Sequence, residues 1–328
     1  MKYRKLGSTE FEVSEIGYGT WGLGGNSYGT VDDNESKKAL KLAFEKGVNL
    51  YDTSDLYGDG HSEELLGEVF KDVRDKVIIA TKGGTLPHYG FQMPQDFSSQ
   101  YLKNALERSL KRLGTDYIDL YQLHSPKIEA IEKNEEIIQT LEGFQKEGKI
   151  RTFGISVRCP DDGKIAIEKY NFPVVQVNFN MIDQRAIENG LFKLAKERKT
   201  GIIVRTPLVF GYLTGKLTGD EQFEGIDHRA NWPNEQLQRW ANAPSLFSFL
   251  WEGKDRTPAQ VALGFCFDYD MVSTVIPGMM NTRQVEENTE ASEMPHLTGE
   301  ELERIRQIYQ NHEFYDRSFK KVKDNGAS

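Results

Sequence analysis

Asn49-Leu50-Tyr51-Asp52-Thr53-Ser54-Asp55-Leu56-Tyr57-Gly58 is a short apolar run that ends in a carboxylate and turns at a glycine. The pattern returns twice: Ile78-Ile79-Ala80-Thr81 leads to Lys82, and Leu120-Tyr121-Gln122-Leu123 leads to His124. Brief runs rich in β-branched and aromatic residues, bounded by turn formers, read as buried strands. Working outward, strands are expected near residues 16–20, 48–52, 77–81, 117–123, 150–155, 174–179, 201–205 and 273–276. Amphipathic stretches of helix length lie between them. Leu40, Ala43 and Phe44 precede Gly47; Leu65, Leu66, Val69 and Phe70 form i, i+4 pairs behind Ser62. Leu102, Leu106, Ser109, Leu110 and Leu113 make a stripe ended by Gly114, and Ile137, Leu141 and Phe144 precede Gly148. Glycine just past the last apolar position suits the left-handed residue that ends many helices. Thr257-Pro258-Ala259-Gln260 and Thr298-Gly299-Glu300-Glu301 carry capping-box starts.

Alternating strand and helix units imply a parallel sheet, either open and doubly wound or closed. Eight repeats favour closure, an α/β fold of the (β/α)8 TIM-barrel type. An N-terminal hairpin is expected to precede it, with Lys2 to Lys5 extended, a turn at Gly7-Ser8-Thr9, and alternation from Phe11 to Ile16. Residues 207–255, rich in Gly, Pro, Trp and Phe, read as a long loop after the seventh strand, and loops of that length are usually functional. The chain divides into one barrel domain over residues 1–317 and a polar tail over 318–328.

Bulk properties exclude several function classes. With 38% hydrophobic and 28% charged residues the composition is that of a globular protein. No stretch approaches the run of about 18 apolar residues that spans a bilayer. The N-terminus lacks the apolar segment of a secretory signal. Cys159 and Cys266 lie far apart, without a disulfide framework or metal-ligand spacing around them. A cytoplasmic protein without membrane partners is expected. The net charge of −9 and the short basic clusters argue against nucleic acid. His61, His88, His228, His296 and His312 share no metal spacing, so no metal is assigned.

In a barrel the site lies at the C-terminal ends of the strands. Asp52, Lys82 and His124 would arrive together at that rim, and Tyr57, five residues beyond Asp52, can turn back over it. A neighbouring ammonium lowers the pKa of a phenol, and a carboxylate keeps a desolvated lysine charged. Asp52, Lys82 and Tyr57 are thus expected to form a proton donor. A neutral His124 imidazole would hydrogen-bond a substrate oxygen. Gly17-Tyr18-Gly19-Thr20-Trp21-Gly22 fits a dinucleotide-binding pattern, but no helix opens there: the next begins only near Asp33.

On these residues the chain resembles the aldo-keto reductases, with similarity over residues 3–310. The family's Asp, Tyr, Lys and His tetrad falls on Asp52, Tyr57, Lys82 and His124, within the decapeptide above, Ala80-Thr81-Lys82 and Leu123-His124-Ser125-Pro126. The resemblance implies an extended nicotinamide cofactor, NADP(H) with NAD(H) left open, and a substrate pocket under the C-terminal loops. It assigns Gly19, Thr20 and Trp21 to the nicotinamide, with Asp52 beside it, and Ser156 and Gln176 to its carboxamide. Pro207, Leu208, Gly211 and Lys216 match the loop over the pyrophosphate; Gly278, Gln284, Glu287 and Asn288 match the adenosine end. Val157 stands where many members have Asn, Arg205 where many have a Tyr stacked on the nicotinamide, and Met280 where a basic residue often meets the 2′-phosphate, with Arg283 nearby.

For the substrate, Trp21, Tyr57, Tyr89 and His124 are the expected contacts. His88, Phe91, Phe223, His228, Trp232, Trp240 and Trp251 are further aromatic or imidazole side chains of the loops, which either line the pocket or pack the loops onto the barrel. The implied reaction is reduction of an aldehyde or ketone, sugar-like ones included, to the alcohol. Two alternatives are the reverse dehydrogenase reaction and a cofactor-sensing regulatory subunit, as in the channel-partner branch of the family. The oligomeric state is not legible.

Overall fold

A computed structural model describes residues 1–88, 90–223 and 225–315. The chain opens with an antiparallel hairpin, β1 (Tyr3–Lys5) and β2 (Glu12–Ser14), in which Arg4 faces Val13. Eight parallel strands follow: β3 (Tyr18–Gly19), β4 (Leu50–Asp52), β5 (Ile78–Gly83), β6 (Ile118–His124), β7 (Ile150–Ser156), β8 (Val174–Asn178), β9 (Gly201–Arg205) and β10 (Val272–Val275). Each pairs with the next in chain order. The last returns to the first: Gly17 N–H donates to the Val275 carbonyl at 2.8 Å and Gly19 N–H to that of Pro277 at 2.9 Å. The sheet thus closes into the expected (β/α)8 barrel. A side chain at Gly19 would not fit the seam, because its Cβ would stand 2.7 Å from the Ile276 carbonyl oxygen.

The helices are α1 (Asp33–Glu45), α2 (His61–Phe70), α3 (Ser99–Leu113), α4 (Ile128–Glu132), α5 (Glu136–Lys146), α6 (Pro160–Tyr170), α7 (Arg185–Glu188), α8 (Leu191–Arg198), α9 (Asn234–Leu246), α10 (Pro258–Phe267), α11 (Thr282–Glu290) and α12 (Gly299–Asn311). Side-chain chemistry sets their ends. Asp32 caps α1 by accepting from Asn34 N–H, Ser98 caps α3, Gly114 ends α3 with φ +63, and both expected capping boxes form at Thr257 and Thr298.

Because side chains alternate along a strand, each barrel strand serves two cores. Tyr51, Ile79, Tyr121 and Leu123 face outward into the sleeve of helices, where α3 contributes the buried stripe Leu102, Leu106, Ser109, Leu110 and Leu113. Leu50, Ile78, Ala80, Leu120, Val174, Ile203 and Ile276 face inward, and Leu6 and Val13 of the hairpin close the N-terminal end over them.

Two expectations need correction. The third and fourth barrel strands run further than read, so Lys82 and His124 lie within β5 and β6 rather than just beyond them. Residues 207–255 are not one long loop, since they hold a 3₁₀ turn over Val209–Thr214 and the helix α9. The internal Pro244 lies in the last turn of α9, so the helix runs on to it and ends two residues beyond. No helix of the described residues is long and apolar enough to cross a membrane.

Candidate active site

The inward alternation continues from the apolar layer into a polar one. Two residues beyond Leu50, Ala80, Leu120, Val174 and Ile203 stand Asp52, Lys82, Gln122, Gln176 and Arg205. Parallel register brings five strand residues to one mouth, Asp52 beside Ala80 and Lys82 beside Gln122.

At the centre the Lys82 ammonium, 1% exposed, donates to Asp52 Oδ1 at 2.5 Å, to the Thr53 carbonyl at 2.9 Å and to the Tyr57 hydroxyl at 3.2 Å. Asp52 Oδ2 accepts from the amides of Gln176 at 2.8 Å and Gln122 at 3.1 Å. Both ions are therefore desolvated, but all three ammonium protons and both carboxylate oxygens have partners, the condition under which a buried pair is tolerated. The Tyr57 loop is pinned from outside the barrel. Gly58 has φ +65, and a Cβ there would stand 2.1 Å from the Gly24 carbonyl oxygen, so this close backbone approach admits only glycine. Gly24 ends the turn begun by Trp21, whose ring lies 6.4 Å from that of Tyr57. His124 stands edge-on to Tyr57 with ring centroids 6.0 Å apart.

Burial pushes the Tyr57 phenol above its ordinary value, against the opposing pull of the Lys82 charge and hydrogen bond. This corrects the expectation of a lowered phenol pKa: the ammonium is present, but desolvation outweighs it. For Lys82 burial acts downward and is outweighed by Asp52 and Tyr57, so the ammonium is held above the lysine range. Burial, then Lys82 and Arg205, hold the His124 imidazole well below the usual histidine range, hence neutral. The arrangement is a neutral phenol whose conjugate base would be stabilised by a permanent cation, beside a neutral imidazole.

Three polar groups here were not singled out from the sequence. Gln122 lies two residues before His124 on the same strand face, so strict alternation would have found it. Ser54 and Asp55 fill the loop between Asp52 and Tyr57: Ser54 Oγ lies 3.0 Å from His124 Nδ1 and 3.2 Å from Asp55 Oδ1. Nothing in the local pattern distinguishes them from ordinary turn residues.

The positions assigned to a cofactor fall along one track. Gly19, Thr20 and Trp21 border the mouth at β3, and Ser156 donates to Gln176 Oε1 at 3.2 Å. Arg205 donates to the Val157 carbonyl at 3.0 Å, while its buried Nε has no hydrogen-bond partner. Pro207, Leu208 and Gly211 continue from β9, with Gly211 at φ +96. Lys216 then reaches across to Glu287 on α11 at 3.1 Å, which joins this segment to the assigned adenosine end. There Gln284 accepts from Met280 N–H at 2.6 Å, Asn288 is buried, Gly278 meets Gly19 at the barrel seam and Arg283 is exposed. An orphaned guanidinium nitrogen at the mouth fits a polar, negatively charged ligand such as a nucleotide.

Of the loop side chains, His228 packs against Trp21 with centroids 4.4 Å apart, near the mouth. Trp240 is fully buried against Tyr212 and Phe210 and belongs to the loop packing. Trp232 packs on Trp240, Phe91 on Trp232, and Trp251 is half-buried. Tyr89 lies outside the described residues, as does the tail over 318–328. No three His, Cys, Asp or Glu side chains cluster as metal ligands among the described residues.

A closed parallel barrel carrying a Lys–Asp–Tyr–His cluster at its C-terminal mouth defines an oxidoreductase class. The comparisons agree: the model of the Aldo/keto reductase family matches residues 15–310, and the chain belongs to that family. It is 30% identical to L-glyceraldehyde 3-phosphate reductase of Escherichia coli (strain K12), over 94% of this chain and 92% of that one. Among solved structures, the holo form of aldo-keto reductase AKR11C1 from Bacillus halodurans matches with a TM-score of 0.78 at 31% identity, covering 97% of this chain and 99% of its own. Glycerol dehydrogenase AKR11B4 from Gluconobacter oxydans matches with a TM-score of 0.80 at 27% identity, covering 96% and 97%.

Proposed function

We propose that this protein reduces aldehydes or ketones, hydroxylated and sugar-like ones included, to alcohols with NADP(H), NAD(H) being the second coenzyme candidate. The observation that carries this reading is the buried Asp52–Lys82 pair with its third ammonium bond on the Tyr57 hydroxyl, 3.2 Å away. When bound, the nicotinamide coenzyme supplies the hydride. The chain's own part is to hold the carbonyl and deliver a proton. Tyr57 gives its phenolic proton to the substrate oxygen, Lys82 stabilises the phenolate left behind, and Asp52 keeps Lys82 charged. His124, neutral, hydrogen-bonds the same oxygen from the other side and sets its approach. Trp21 walls the pocket beside Tyr57.

Ser156, Gln176 and Arg205 would hold the nicotinamide end. The segment from Pro207 to Lys216 would cover the pyrophosphate, and Gly278, Arg283, Gln284, Glu287 and Asn288 would take the adenosine end. Similarity to a glycerol dehydrogenase and to a reductase of a phosphorylated hydroxyaldehyde supports small polyhydroxylated substrates. The same residues serve the reverse oxidation, with the Tyr57 phenolate as base.

Replacing the proton donor alone tests the reading. Tyr57→Phe is expected to lower kcat/KM for carbonyl reduction by about 10²–10⁴-fold, the usual worth of a general acid. Its coenzyme dissociation constant, read by nicotinamide fluorescence, should stay unchanged. Wild-type turnover in that variant removes the assignment.

A further inference from the structure

The loop between Asp52 and Tyr57 holds a hydrogen-bonded chain that the proposed reaction has not used. Ser54, fully buried, places its hydroxyl 3.0 Å from His124 Nδ1 and 3.2 Å from Asp55 Oδ1. The same oxygen accepts the Leu56 N–H at 3.2 Å, and the Lys82 carbonyl, at 3.5 Å, is the most distant of its acceptors. We propose that Ser54 and Asp55 are positioning residues that set the tautomer of His124, and with it whether His124 offers the substrate oxygen a donor or a lone pair. This rests on the reading of His124 as the group that orients the carbonyl.

A serine hydroxyl has one hydrogen and two lone pairs, and one lone pair of Ser54 is already taken by Leu56. When Asp55 is a carboxylate it can only accept, so Ser54 gives its hydrogen to Asp55 and must receive one from His124 Nδ1. The neutral imidazole is then protonated on Nδ1, leaving Nε2 a bare lone pair that repels a carbonyl oxygen. When Asp55 is a carboxylic acid it donates to Ser54, and Ser54 passes its own hydrogen to His124 Nδ1. Nε2 then carries the N–H and becomes a donor towards the substrate. No net charge reaches the imidazole in either state; one proton taken up at Asp55 is read out as a donor at His124.

The surroundings of Asp55 make such a change accessible near neutrality. It is 7% exposed, and burial, followed by the Glu63 carboxylate on α2, pushes its pKa up to about 7, against Ser54, Arg108 and Arg112. Arg108 and Arg112 face it from α3 together with Tyr101, and Tyr121 faces it from β6. Arg112 is engaged by Glu63 at 3.2 Å rather than by Asp55. On the β5 side Asp55 donates its N–H to the Lys82 carbonyl at 3.2 Å.

The test reads the tautomer directly. In ¹⁵N-histidine-labelled protein with coenzyme bound, the Nδ1 and Nε2 shifts of His124 should exchange donor and acceptor character between pH 5 and 9 while the ring stays neutral. Asp55→Asn and Ser54→Ala should each abolish that exchange. In parallel, wild-type kcat/KM for reduction should fall about tenfold per pH unit above the Asp55 titration, and both variants should lose that limb. A His124 tautomer constant with pH in the wild type, or an exchange and a pH limb that persist in Asp55→Asn and Ser54→Ala, overturns the proposal. A protein inactive on every carbonyl would instead count against the reductase reading, and the shifts would still decide the tautomer.

Discussion

Each end of the barrel carries an ion pair with a buried carboxylate, Arg4–Glu15 at one and Lys82–Asp52 at the other, and the two pairs spend their charges differently. At the N-terminal end the Arg4 guanidinium donates to Glu15 Oε1 at 2.7 Å and to the carbonyls of Phe267 at 2.7 Å and Val272 at 3.1 Å, while Ser292 donates to the second oxygen of Glu15 at 3.0 Å. Those bonds tie the hairpin plug to β10 and the end of α10. At the C-terminal end the Lys82–Asp52 pair is as well satisfied, but among the described residues its third ammonium bond goes to a phenol that makes no other hydrogen bond, and Arg205 keeps a buried nitrogen without a partner. The Arg4–Glu15 pair is saturated and serves stability. The other holds polar capacity in reserve, and a buried polar group left waiting is destabilising unless a ligand answers it.

Lys82→Met should break this contrast most severely. It leaves the Asp52 carboxylate, 3% exposed in its side chain, without a counter-ion, at a cost of about 3–5 kcal/mol in stability. It also strips the phenolate of its stabilising cation, so turnover should fall at least as far as in Tyr57→Phe. Denaturant unfolding and single-turnover kinetics together check this; a fully active Lys82→Met would show that the pair is structural, like the one below it.

Arg4→Met is the matching change at the saturated end. Glu15, 3% exposed, loses its partner, and unfolding free energy should drop by about 3 kcal/mol. Turnover per folded molecule should not move, because nothing at this end touches the mouth. A changed kcat with unchanged stability would mean that the plug communicates with the site, against the division drawn here.

How much of this was legible depends on period. Strand alternation carries Asp52, Lys82 and His124 to one rim from sequence alone, because each stands at the end of an apolar run. Gln122 obeys the same rule but does not stand out, since an amide inside Leu120-Tyr121-Gln122-Leu123 does not interrupt the apolar look of the run. Arg205 came from family resemblance rather than from spacing. The helix α9 was hidden because its buried positions Leu237, Trp240 and Ala243 make a sparse stripe and Pro244 mimics a stop. The direction of the Tyr57 shift was misread because an ammonium is visible in a sequence, whereas the depth to which a loop tyrosine is buried is set by packing across the barrel. Ser54 and Asp55 depend on a contact across 70 residues, from Ser54 to His124, that no local pattern encodes.

The smallest effect expected is at Arg205, and it sharpens the comparison most finely because it concerns the reserve itself. Its guanidinium is buried, and that burial holds it below the usual arginine range, a cost that a single bond to the Val157 carbonyl does not offset. A planar cation with unspent donors can stack on a nicotinamide ring and bond to the groups beside it; lysine, a point charge, cannot do both. Arg205→Ala should therefore weaken coenzyme binding about tenfold, or about 1.4 kcal/mol, and Arg205→Lys should recover little of it. The same two variants should leave the unliganded protein no less stable, since they remove an underpaired buried charge. A dissociation constant unchanged in Arg205→Ala would mean that the orphaned nitrogen is answered by something other than the coenzyme.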